Sequence, residues 1–184
     1  MVMLLILYWL LLCCIPVPGL GYASLEKETN LGAWLDRVVL GKAHLWKLSI
    51  TWDPEGILGT IPSISTALIG ILSGNWLRQK QIDPGTKIAW LFSSGTIAVI
   101  LGLVWHLAFP INKALWTSSY VLYTGGIAMI GLSLCYWLID VQGYTSWTKP
   151  FVIYGVNALA AFFFSTLLAK TLNLPIGQLA EGKT

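Results

Sequence analysis

Charge is what this sequence has least of. Of its 184 residues, 10% are Asp, Glu, Lys or Arg, where a soluble domain carries roughly a quarter. That is too little polar surface to cover a globule in water. The formal net charge is +3, and the 11 lysines and arginines form no dense patch. Both facts argue against a nucleic-acid partner. Histidine is almost missing, with His44 and His106 alone. The three cysteines, Cys13, Cys14 and Cys135, lie in apolar stretches with no CxxC or Cys/His spacing. No metal site is therefore expected, and they read as small buried hydrophobes. A phosphate-cradling glycine loop and a Ser/His/Asp arrangement are likewise missing. Residues 2–18 lack a basic leader, and their apolar run is too long for a signal-peptide core, so they read as a membrane helix.

What fills the chain instead is hydrophobic residue, 56% of it, with a mean hydropathy of +0.72. Five apolar windows, at about 2–18, 57–77, 87–109, 116–139 and 150–171, approach the roughly 20 residues that cross a hydrocarbon core. In lipid each backbone polar group needs an internal partner, so the windows should be helices. Runs such as Ile97-Ala98-Val99-Ile100-Leu101 do not alternate as barrel strands would. The expectation is an all-α polytopic membrane bundle forming one domain over 1–184, with about five transmembrane helices. Arg78, Lys80 and Lys87 crowd the connection between the second and third windows, which places it in the cytoplasm. The 19–56 loop and the 109–115 connection then face outside, as does the C-terminal tail, and 140–149 returns inside. Within the long loop, Leu31, Trp34, Leu35, Val38 and Val39 recur at helical spacing with Asp36 and Arg37 on another face. This predicts a short interfacial amphipathic helix ended by Gly41.

Small residues mark the faces along which helices could approach closely. They are Gly59, Ser63, Ala67, Gly70 and Gly74 in the second window, and Ser94, Ala98 and Gly102 in the third. Asn157, Ala161 and Ser165 form a similar stripe in the fifth. Packing seams explain all three, and a ligand cavity beside Asn157 is the sharper alternative, because a buried amide must find partners. Two polar clusters stand at the external face. In Trp52-Asp53-Pro54-Glu55-Gly56, Asp53 is placed to cap the second helix, Pro54 to open its first turn and Glu55 to meet its positive end. Acid–base work by Asp53 and Glu55 beside His44 is the functional alternative. In Pro110-Ile111-Asn112-Lys113-Ala114-Leu115-Trp116-Thr117-Ser118-Ser119-Tyr120, a turn gathers an ammonium, an amide and four hydroxyls. These either cap a helix or donate hydrogen bonds to a polar head group or anionic intermediate. The candidate cavity and substrate residues are Asp53, Glu55, Asn112, Lys113, Ser118 and Asn157.

Three blocks carry a resemblance. They are Leu31-Gly32-Ala33-Trp34-Leu35-Asp36-Arg37 with His44-Leu45-Trp46 and Asp53-Pro54-Glu55-Gly56-Ile57-Leu58-Gly59-Thr60-Ile61, then Pro110 to Val121, then Tyr154-Gly155-Val156-Asn157-Ala158-Leu159. Over nearly the whole chain this resembles the heparan-alpha-glucosaminide N-acetyltransferase family and its bacterial relatives. The resemblance implies part of a multi-pass inner-membrane acyltransferase, with acetyl-CoA as cytosolic donor and an amino sugar or glycan as acceptor. The family's catalytic histidine sits in an N-terminal motif with no counterpart here. The chain is thus expected to be a C-terminal-half piece, inactive alone, and His44 and His106 do not take that role. Expected partners are the lipid bilayer, the sugar acceptor, and either the missing N-terminal half or a second copy of the chain. A non-catalytic membrane subunit or truncated gene product is the alternative. A transporter module ranks lower, since the spans lack acidic residues in their middles.

Overall fold

A computed structural model of the chain describes residues 1–46 and 51–172. It divides into two compact units, Met1–Val141 and Gln142–Thr184. The expected C-terminal tail beyond 172 lies outside the described residues. Among those residues the regular structure is entirely helical, as expected of an all-α membrane bundle.

The first unit holds α1 (Val2–Cys14), α2 (Leu31–Val39), α3 (Thr60–Arg78), α4 (Pro84–His106) and α5 (Ser118–Tyr136). A π-helical turn at Trp137–Val141 extends α5. Among the described residues two helices are long and apolar enough to cross a membrane, Pro84–His106 and Ser118–Val141. By length and composition alone two helices, or three if the bent pair described below is one span, meet the requirement for crossing, and the shorter α1 and the more polar α3 complete the helices expected in the bundle. Helix α1 has 13 residues, about 20 Å of helix against a hydrocarbon core of roughly 30 Å. In α3, Ser63, Ser65, Thr66, Ser73, Asn75 and Arg78 dilute 19 residues below the hydropathy of a span.

Local chemistry explains the boundaries. The third apolar window begins at Lys87, but α4 starts three residues earlier. Asp83 caps it by accepting from the Thr86 amide at 2.7 Å, and Pro84 occupies its first turn. Lys87 is buried and donates from Nζ to the Leu77 carbonyl at 2.9 Å, covering the exposed end of α3. The second helix does not begin at Asp53. It begins at Thr60 behind Gly59 with no side-chain cap. Pro62 sits in its first turn, where an amide would have no helical partner anyway.

The closest packing joins α4 to α5. A Cβ on Gly126 would come within 2.5 Å of the Gly95 carbonyl, and one on Gly102 within 2.7 Å of the Tyr123 amide. Gly70 and Gly74, expected to form a seam, face open space instead. At the end of the unit that carries α2, Tyr8, Leu12, Val17, Leu31 and Phe109 make a buried cluster. It ties α1 to the start of α2 and to the α4–α5 connection. Cys13 is half-buried, whereas Cys14 and Cys135 are exposed, so the buried reading of the cysteines is corrected. In a bundle that offers no hydrophobic penalty at its lipid face, small apolar side chains need no interior position.

The second unit contains α6 (Lys149–Val156) and α7 (Ala158–Leu172), bent by 90° at Asn157. The continuous fifth helix over 150–171 is thus broken at the residue expected to line a cavity. Asn157 leaves helical geometry at φ −106° and ψ 33°. Its Nδ2 donates to the Ile153 carbonyl at 2.9 Å, giving the backbone an alternative to continued helix.

Candidate functional site

Helix α2 borders a small cavity that it shares with the Asp53 turn. Asn30 caps α2 by accepting from the Ala33 amide at 2.9 Å, and donates to the Glu26 and Lys27 carbonyls at 2.8 and 2.9 Å. Helix α2 appears where its periodicity placed it and stops before Gly41, whose φ is +75°. Its orientation differs from expectation. Leu31, Ala33 and Asp36 are buried, while Val38 and Val39 are exposed. Docking on the Tyr8–Phe109 cluster, rather than hydrophobicity alone, selects the inward face.

Asp36 is only 2% exposed. Its Oδ1 accepts from the Ile57 amide at 2.9 Å. Burial is the main influence on its carboxyl group and pushes the pKa up; the Ile57 hydrogen bond opposes this, Asp53 adds to it and Arg37 opposes it. A cavity of about 20 Å³, the size of one water molecule, adjoins Asp36, Asp53, Asn30, Lys27 and Tyr8. The Tyr8 hydroxyl donates to the Leu115 carbonyl at 2.5 Å, joining α1 to the second polar cluster.

Asp53 folds its own loop rather than capping α3. Its Oδ1 accepts from the Glu55 amide at 2.9 Å and its Oδ2 from the Trp46 amide at 3.2 Å. The Gly56 amide bonds to the Asp53 carbonyl at 3.2 Å, closing a turn. Glu55 projects from that turn, exposed.

Residues 110–119 form a second turn, self-satisfied inside. Asn112 accepts at Oδ1 from the Ala114 amide at 2.9 Å, and its amide donates to Thr117 Oγ1 at 3.0 Å. Ser118 donates to the Leu5 carbonyl at 2.7 Å, and Ser119 to the Phe109 carbonyl at 2.6 Å. Thr117, Ser118 and Ser119 are buried, so these hydroxyls pin the start of α5 to α1 and to the segment that follows α4. Trp116 adopts a positive φ of 51°, a conformation that costs a non-glycine residue about 1 kcal/mol or more. Its indole nitrogen donates to Thr66 Oγ1 at 3.1 Å, which holds the ring against α3. His106 accepts at Nδ1 from the Ile111 amide at 2.9 Å and is thereby set as the Nε2–H tautomer.

The two turns face each other across a groove of about 510 Å³. Glu55, Asn112 and Lys113 lie on it together, between Trp46, Trp52 and Trp116. Lys27 also lines it, its ammonium 5.9 Å from the Trp52 ring centroid. Trp46 and Trp52 meet edge to face at 5.9 Å. A second hollow of about 300 Å³ continues past Pro54, Glu55 and Trp116 along Thr60 and Ser63 of α3. Of the six candidate residues, Glu55, Asn112 and Lys113 share the groove. Asp53 stands behind it, Ser118 is in the packing beneath it, and Asn157 belongs to the second unit. Lys27 and the tryptophan walls were missed as a set, because only the folded loop brings them together. Asp36 left one trace in the sequence, a carboxylate beside Arg37 in a block whose other residues are apolar. Among the described residues, no three His, Cys, Asp or Glu side chains gather to hold a metal ion.

The groove combines one carboxylate, two ammonium groups, an amide and flat aromatic walls. Such a set can take a ligand with an apolar face against the rings and polar or charged substituents against the charges. No family model matches the sequence. The chain is 32% identical over 176 aligned positions to heparan-alpha-glucosaminide N-acetyltransferase of Mus musculus, and 33% over 177 to that of Homo sapiens. Each alignment covers 80% of this chain and 26% of the relative. The chain therefore spans about a quarter of the length of these curated relatives.

Proposed function

We propose, from this family-level resemblance to heparan-alpha-glucosaminide N-acetyltransferase, that the chain forms part of a multi-pass membrane acyltransferase acting on an amino sugar or glycan. The observation that carries the reading is the groove that gathers Glu55, Asn112 and Lys113 between tryptophans. The Glu55 carboxylate accepts hydrogen bonds from the acceptor's ammonium, and Asn112 and Lys113 address ring hydroxyls or an acidic substituent. Stacking on indole orients the ring so that its amine is held in one direction, which is how positioning lowers a bimolecular barrier. Acetyl-CoA supplies the acetyl thioester as the second substrate. The groove's mixed charge suits the sugar rather than the polyanionic nucleotide end of that donor. This chain's residues bind and orient; none is assigned as nucleophile or catalytic base. The assembly sits in the inner (plasma) membrane with the 19–56 loop outside, and a histidine-bearing N-terminal half or a further copy of the chain completes it.

The test is glucosamine binding to the purified chain in lipid nanodiscs, then acetyl transfer after joining it to a matching N-terminal half. Glu55→Gln should weaken glucosamine binding about tenfold, the effect of losing a charge-assisted hydrogen bond. Unchanged affinity in Glu55→Gln and Lys113→Ala together would sink the reading.

The 90° break at Asn157 favours a second reading, a transport module, because interrupted helices line many substrate paths. Sugar-dependent flux through the chain in liposomes would support it.

A further inference from the structure

The turn that presents Glu55 is held by a residue on another element. Asp36 Oδ1 takes the Ile57 amide at 2.9 Å. Its Oδ2 lies against Gly56, where an added Cβ would come within 2.1 Å of it. One carboxyl group therefore touches both residues that follow Glu55. The helix bearing it is itself fixed: Arg37 donates to the Glu28 and Thr51 carbonyls, each at 2.7 Å. A buried carboxylate is costly unless it is well bonded, and an apolar side chain of similar size would fill the same space. What an apolar side chain lacks is an acceptor for the Ile57 amide, which falls before α3 begins and has no helical partner.

We propose that Asp36 is a positioning residue for the groove: by holding the Ile57 amide and seating against Gly56, it sets the direction of Glu55. This rests on the acceptor reading of the groove, though its mechanical half is separable. Gly56 is the matching half of the device, because only the absence of a side chain admits the carboxyl group. Asp53 then shapes the near side of the same turn through the Glu55 amide, so Glu55 stands between two carboxyl-anchored points.

The experiment uses the full chain in nanodiscs, with Asp36→Asn, Asp36→Ala, Gly56→Ala and the double Asp36→Ala/Gly56→Ala. It reads amide exchange at Ile57, glucosamine affinity and helix content. An asparagine oxygen still accepts from Ile57, so Asp36→Asn should stay within about twofold of the parent in exchange and affinity. Asp36→Ala should speed Ile57 exchange and weaken glucosamine binding about tenfold each, the effect of one lost buried hydrogen bond. Gly56→Ala should do the same through steric displacement. The double variant should lose no more than either single one, because the new methyl enters vacated space. Unchanged Ile57 exchange in folded Asp36→Ala overturns the proposal, as does faster exchange with unaltered affinity. If Asp36→Ala does not fold, unchanged exchange in Gly56→Ala overturns it equally. A parent chain that binds no glucosamine, while exchange follows the expected pattern, sinks the acceptor reading and supports the hold on the turn.

Discussion

Two aspartates of the first unit respond to their surroundings in opposite ways. Burial raises the pKa of Asp36, so protonation of this carboxyl group is easier in the folded chain than in the unfolded one. Whatever stability that protonation brings is complete below the unfolded value of about 4 and is lost as pH rises through the folded value. The melting temperature of the parent minus that of Asp36→Asn should therefore be larger at pH 4 than at pH 7. Asp83 is fully exposed and is lowered, first by its hydrogen bond from the Thr86 hydroxyl and next by that from the Thr86 amide. Its contribution is present above a pH of about 4 and disappears as pH falls through its folded value. Parent minus Asp83→Asn should thus shrink in acid, and a difference that grows there would contradict the capping role. The Asp83-Pro84 pair was readable as a helix start, since both residues act within one turn of chain. The inward turn of Asp36 was not, because its partner amide is 21 residues away.

Helices meet here where backbones touch, and that can be tested with glycines of opposite setting. Gly126→Ala would push a methyl into the Gly95 carbonyl and Val99. It should destabilise the α4–α5 pair by about 1–3 kcal/mol, measured by unfolding in mixed micelles. Gly74→Ala meets open space and should be neutral or stabilising by up to about 1 kcal/mol from helix propensity alone. Similar losses at both positions would mean that the Gly70 and Gly74 face of α3 is packed after all. At the other break in regular structure, Asn157→Ala removes the side-chain bond to Ile153. Spin labels at Val152 and Leu167 should then report a longer separation as the 90° bend opens. An unchanged distance would place the cause of the bend elsewhere. The glycine spacing in α3 was visible in sequence, but spacing does not say which neighbour, if any, arrives.

For the whole molecule, the side of the membrane decides whether the groove can meet an external acceptor. The groove lies at the start of α3 and the α4–α5 turn, whereas 79–83 joins the opposite ends of α3 and α4. With native cysteines replaced by serine, a membrane-impermeant maleimide applied to intact cells should label Glu28→Cys. It should label Gln79→Cys only after permeabilisation. The reverse pattern would turn the groove to the cytoplasm and remove the external-acceptor proposal. The count of spans belongs at this scale too. Hydropathy windows located the helices, yet α1 and α3 need neighbours rather than composition to account for their place.

Sequence by itself determined that the chain is a helical membrane protein, because scarce charge and long apolar runs leave its backbone no other way to satisfy its hydrogen bonds. It also placed α2 and the two polar turns, whose signals are local. Only the tertiary structure decided that α2 turns Asp36 inward and that the fifth helix breaks at Asn157. It alone decided that the seam belongs to Gly95, Gly102 and Gly126, and that Glu55 and Lys113 share a groove. Each of these depends on which surfaces are brought together by residues far apart in the chain, and no pattern of period 3.6 records that choice.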